Sequence, residues 1–216
     1  TVSRYNMVGA YGGADGGAIF IRGHGAGRPG AGITTAVDGI PRFVGIWTHP
    51  LLDTMSLDLA GEVEVYKSPQ PVRFGNMAFG AVNIVPAGPE RDGVHGRLRS
   101  VVGEHETWTQ QGSVSYRDDA LDLFFSAGHR ESDGHRENAG GETDSINGRA
   151  GIRLSDTWSA SFLFSHADSM AEDPEPVGGP PPGRLERYLT DTEFYLLKLS
   201  HQTDRARGDI KLYYED

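Results

Sequence analysis

Near residue 93 the sequence changes its pattern, and the second pattern leaves few folds open. Upstream the chain is Gly-rich and irregular, with short apolar runs such as Ile19-Phe20-Ile21. Downstream come segments of about ten residues in which apolar and polar side chains alternate, as in strands whose two faces meet different surroundings. Trp158, Ala160, Phe162 and Phe164 share one face, and Ser159, Ser161, Leu163 and Ser165 the other. Leu121, Leu123, Phe125 and Ala127 oppose Asp122, Phe124, Ser126 and Gly128. Ile146, Gly148, Ala150, Ile152 and Leu154 oppose Asn147, Arg149, Gly151 and Arg153. The pattern predicts seven strands, over about 94–103, 107–117, 120–130, 144–154, 157–167, 190–202 and 207–215. Arg149 and Arg153 on one face would be costly in a dry core and cheap against a wet lumen.

The connections alternate as well. Arg117-Asp118-Asp119, Ser155-Asp156 and Thr203-Asp204-Arg205-Ala206 read as tight turns. Between them lie the long polar stretches 131–143 and 169–189, the latter rich in Pro and Gly. Short turns at one end and long loops at the other are the asymmetry of a transmembrane barrel, and 104–106 is the one short connection where a long one is allowed. Tyr116, Trp158 and Trp108 fall near strand ends, where interfacial aromatic girdles sit.

Composition fits this reading. Only 37% of residues are hydrophobic, and 30 of 216 are Gly. That is little for a soluble core, but enough when only alternate strand residues must be apolar. The net charge of −10, with acids and bases mixed, offers no basic track for nucleic acid. The chain has no Cys, which excludes disulfides and thiolate metal sites. No run is long and apolar enough for a transmembrane helix. The opening residues lack a signal peptide, and the chain ends on an apparent strand. The expectation is an internal fragment of an exported protein.

The upstream half carries an ordered set of motifs. These are Ile21-Arg22-Gly23, Val37-Asp38-Gly39, Glu62-Val63-Glu64-Val65, Lys67-Ser68-Pro69, Phe74-Gly75 and Ala78-Phe79-Gly80-Ala81-Val82-Asn83-Ile84. In order and spacing they resemble the plug domain of TonB-dependent outer-membrane receptors. Ser68 and Ala81 stand where that family usually has Gly, and slight strain in retained turns is expected there. The resemblance implies an all-β/α+β chain. Residues 1–92 would be the C-terminal part of a plug. Residues 93–216 would be the first antiparallel, up-and-down strands of a transmembrane β-barrel, about seven of an expected 22. It also implies an outer-membrane transporter, not an enzyme, importing a scarce solute such as an iron–siderophore or other metal chelate. The partners would be TonB, acting through a segment missing here, the chelate, and outer-membrane lipid. No cofactor, catalytic residue or metal site is called for.

Site residues follow from the same resemblance. Arg22 and Lys67 stand where plug bases meet glutamates of the barrel wall. Loops 24–33 and 42–50 would form the plug apex, with His24, Arg28, Arg42, Phe43, Trp47 and His49 as candidates to grip a chelate by charge, hydrogen bond or stacking. Glu62 and Glu64 read as structural. Gly25-Ala26-Gly27-Arg28-Pro29-Gly30 matches a dinucleotide fingerprint formally, but no helix opens there. The rival reading is a secreted all-β carbohydrate-active enzyme or binding module, with a soluble core on both sheet faces. The discriminator is charge on the outward strand face. On strand 207–215 it is ambiguous, because Lys211 lies between Asp209 and Tyr213.

Overall fold

The computed structural model describes residues 2–4, 17–19, 21, 33–42, 57–69, 71–74, 79–135, 137–172 and 187–216. Seven strands form one antiparallel sheet: β7 (Gly93–Val102), β8 (Trp108–Arg117), β9 (Leu121–Ser132), β10 (Gly141–Arg153), β11 (Trp158–Glu172), β12 (Arg187–Gln202) and β13 (Arg207–Glu215). Each pairs with its neighbours in sequence, so the sheet is an unbroken meander from β7 to β13. The predicted strands are present. β9 to β12 run further than expected at their loop ends, because pairing continues to Gly141↔Ser132 and Glu172↔Arg187.

The tight turns form where they were expected, and each is closed by a side chain at its start. Asp118 Oδ1 accepts from the Ala120 and Leu121 amides, both at 2.8 Å. Ser155 Oγ accepts from Trp158 N at 3.1 Å, and Thr203 Oγ1 from Ala206 N at 3.0 Å. Short polar side chains do this because they reach their own backbone two or three residues on.

Register puts one apolar row beside the next. Val94, Tyr116, Leu123, Ala150, Phe162, Leu197 and Leu212 lie side by side across the sheet. The row next along the strands is Gly96, Val114, Phe125, Gly148, Phe164, Tyr195 and Tyr214. This face is uncovered: Leu98 is 84% exposed and Leu212 66%. The opposite face carries Ser126, Ser145 and Asn147, all buried. A soluble sheet would hide its apolar face and wet its polar one. Here the arrangement is inverted, which counts against the soluble carbohydrate-active reading. Lys211 belongs to the polar face, and Ile210, Leu212 and Tyr214 to the apolar one, so β13 follows the same rule.

Against the polar face sits a four-stranded mixed sheet in the order β4-β3-β6-β5. Its strands are β3 (Ile33–Val37), β4 (Ile40–Pro41), β5 (Ala60–Tyr66) and β6 (Gly80–Pro86). β3 runs parallel to β6. A 3₁₀ turn, Leu57–Leu59, precedes β5, and one helical turn, α1 (Pro71–Phe74), follows it. Two further short strands, β1 (Val2–Arg4) and β2 (Gly17–Ile19), pair with each other. β3 and β4 are joined by Asp38 and Gly39, at φ of 47° and 78°. Both are left-handed, as a two-residue hairpin matched to strand twist requires. Ala81 is not in a turn. It lies inside β6, buried with Ala36 and Phe74, so the small residue serves close packing and no strain arises.

Candidate functional site

The region where chemistry concentrates is the contact between the four-stranded sheet and the polar face of the large one. Its centre is apolar: Val37, Leu59 and Ile84 pack on Leu163, Phe194 and Leu196. On β11 and β12 these wall residues interrupt an otherwise polar face. Leu163 stands between Ser161 and Ser165, an anomaly visible in the sequence that marks where the inner sheet rests.

Ion pairs surround this centre. Asp38, at the hairpin tip, receives Lys198 Nζ at 3.0 Å and Lys211 Nζ at 3.4 Å. Lys211 also donates to the Asp38 carbonyl. Arg42 is buried, with Nε 2.9 Å from Glu215 and its guanidinium 4.4 Å from the Phe194 ring centre. Asp58, in the 3₁₀ turn, pairs with Arg130 and accepts from Ser145 Oγ at 2.9 Å. Ser126 Oγ donates to the Asp58 carbonyl at 3.2 Å. Gly128 makes room for this pair, since a Cβ there would overlap the Asp58 carboxylate.

Within the inner sheet Glu64 is structural, as expected. It accepts from Asn83 Nδ2 at 2.8 Å and from the Tyr66 hydroxyl at 3.0 Å, with Arg73 at 3.5 Å. The Asn83 bond holds its carboxyl below the usual range, and burial opposes this. Asn83 Oδ1 in turn accepts from Gly39 N at 2.8 Å, which ties the hairpin to β6.

Of the residues singled out by sequence, Arg22, His24, Arg28, Phe43, Trp47 and His49 lie outside the described residues, as does the Gly25–Gly30 motif. Arg42, expected at the apex, is instead enclosed against β12 and β13. The expectation treated 42–50 as one exposed loop, but Arg42 N still bonds to Thr35 O and keeps the residue at the sheet edge. Lys67 is exposed just after β5. The wall contacts rest on Asp38 and Asp58 as well as Arg42, and no motif marks those acids as partners. This constellation holds two bodies together. Among the described residues its charged groups are spent on one another.

Residues 2–82 match the family described as TonB-dependent Receptor Plug Domain. The strands of the inner sheet fall largely within that stretch. Solved structures extend the likeness to the wall. The chain is similar in fold to the ferripyoverdine receptor of the Pseudomonas aeruginosa outer membrane, at 15% identity and a TM-score of 0.76, covering 100% of this chain and 30% of that one. It is similar to the siderophore receptor PirA from Acinetobacter baumannii, at 15% identity and 0.68, covering 100% and 35%. The copper transporter OprC gives 13% identity and 0.71, covering 95% and 32%. The chain thus spans about a third of the length of the structures it matches. By this likeness the inner sheet corresponds to plug and the large sheet to wall, and the ion pairs above join the two.

Proposed function

We propose that this chain supplies the C-terminal part of the plug, residues 1–92, and the first wall strands, residues 93–216, of a TonB-dependent receptor that imports a metal chelate, with an iron–siderophore as the leading candidate. The observation that carries the reading is a plug seated on the polar face of a sheet whose other face is a continuous apolar belt. Such a sheet is stable only with lipid outside and a filled, wet lumen inside. The chelate is favoured because several structures sharing the fold are described as siderophore or copper proteins. TonB would act on the plug from the periplasm. His24, Arg28, Phe43, Trp47 and His49 are the proposed ligand contacts, and Lys67 a contact to wall strands beyond those described.

The test is uptake of radioactive iron by cells that lack their own siderophore receptors and express the receptor with its whole barrel. Iron would be supplied as hydroxamate, catecholate and carboxylate chelates, with and without TonB. Uptake of one class, abolished without TonB, is expected. Uptake of none, or uptake indifferent to TonB, would sink the proposal.

A further inference from the structure

Among the described residues the inner sheet does not meet the large one evenly. It is clasped to β9, β12 and β13 by the ion pairs above, and there the wall bases Arg130, Lys198 and Lys211 are each spent on a plug carboxylate. Beside β7 and β8 a cleft of about 500 Å³ separates wall from plug. That is within the range of small-molecule sites. Its wall side is basic. His95, Arg97 and Arg99 alternate along β7 and so face the lumen together, opposite Ser115, Ser113 and Gln111 of β8. Arg91 lines the cleft from the connection before β7. Among the described residues, Arg91, Arg97 and Arg99 have no ion-pair partner. The facing carboxylates not already paired are Glu62 of β5 and Glu90, two acids against three guanidiniums. Arg97 and Arg99 are about 7 Å apart along the strand, close enough to hold two oxyanion groups of one molecule.

We propose that this cleft is an anion-binding site on the inner wall, taking carboxylate or comparable oxyanion groups of a small solute that passes between the plug edge β5 and strands β7 and β8. The β8 hydroxyl and amide side chains would complete the hydrogen bonding, and the guanidiniums would supply the charge. The passage rests on the importer reading. The anion site does not.

The chain has no Cys of its own, which makes a direct test available. Ser113→Cys, opposite Arg97, is introduced into the whole receptor, otherwise free of reactive thiols. It is labelled with methanethiosulfonates bearing either a sulfonate or a trimethylammonium group. The anionic-to-cationic rate ratio is expected to exceed that of a small free thiol by about tenfold. Arg97→Gln with Arg99→Gln should return it to the free-thiol value, and Arg97→Lys with Arg99→Lys should keep it. Millimolar citrate should slow labelling in the parent and not in the Gln pair. A ratio at the free-thiol value, a ratio the Gln pair leaves unchanged, no protection by citrate, or no labelling by either reagent would each overturn the site. A positive result in a receptor that imports no chelate would leave the site standing and remove only its transport role.

Discussion

The Arg42 guanidinium stacks on Phe194 and pairs with Glu215, so removing it strips one buried surface of two partners at once. Arg42→Ala is expected to weaken plug docking by about 1–3 kcal/mol, the cost of leaving a desolvated polar group unmet. Faster hydrogen exchange at the amides of Ile33–Val37, with barrel assembly intact, would show it; unchanged exchange would mean that the pair contributes nothing. Gly128→Ala should loosen the plug at a separate point, because the new methyl displaces the Asp58 carboxylate from Arg130. At this scale the sequence is least informative. Arg22 and Lys67 stand out because a motif surrounds them. Asp38 and Asp58 acquire their partners 160 and 72 residues away only after both bodies have folded, and local pattern carries no trace of such a register.

The elements themselves were legible because their causes are local. Alternation sets the strands, and Asp, Ser or Thr at each tight turn closes it through its own backbone. Asp118 allows a pH test, since it lies in a turn outside the spanning strands. The Ala120 amide first, then the Tyr116 hydroxyl, hold its carboxyl below the ordinary value of about 3.9. A depressed folded pKa means that the bonded turn adds stability above the unfolded value and loses it as pH falls through the folded one. Exchange at Ala120 and Leu121 should therefore accelerate, relative to a neighbouring strand amide, as pH drops below about 4. In Asp118→Asn that extra acid dependence should vanish. A second element test concerns Gly39. At φ of 78° an added Cβ is strained, so Gly39→Ala should cost about 1–2 kcal/mol and free the hairpin that carries Asp38 to Lys198 and Lys211. The strands outrun their sequence pattern for a physical reason. Beyond Ala127 and Ile146 the outer face turns to His129, Asp144, Asp168 and Asp191, so hydrophobic alternation fades while backbone pairing continues.

For the molecule as a whole, those same residues define the upper edge of the membrane belt. Below them the outward rows from Leu121, Ile152, Ala160, Leu199 and Ile210 to Gly96, Val114, Phe125, Gly148, Phe164, Tyr195 and Tyr214 contain no charge. Trp158 and Trp108 stand at opposite ends of the outer face, at the depths where amphipathic rings meet headgroups. The inner face obeys a different rule: charges are admitted wherever the plug or lumen water meets them. The two faces should therefore respond oppositely to the same substitution. Leu123→Arg places a guanidinium in the outward belt and is expected to cost about 2–4 kcal/mol of folding stability in lipid. Gln111→Arg, one strand away but facing the lumen, should cost far less, because water and the cleft's acids can reach it. Equilibrium unfolding of both variants of the whole receptor in lipid vesicles measures the difference. Equal losses would mean that the belt is not in hydrocarbon, and with it would go the reading of this sheet as membrane wall. The contrast between the faces holds whichever solute is carried, since lipid outside and plug inside fix them before any ligand binds.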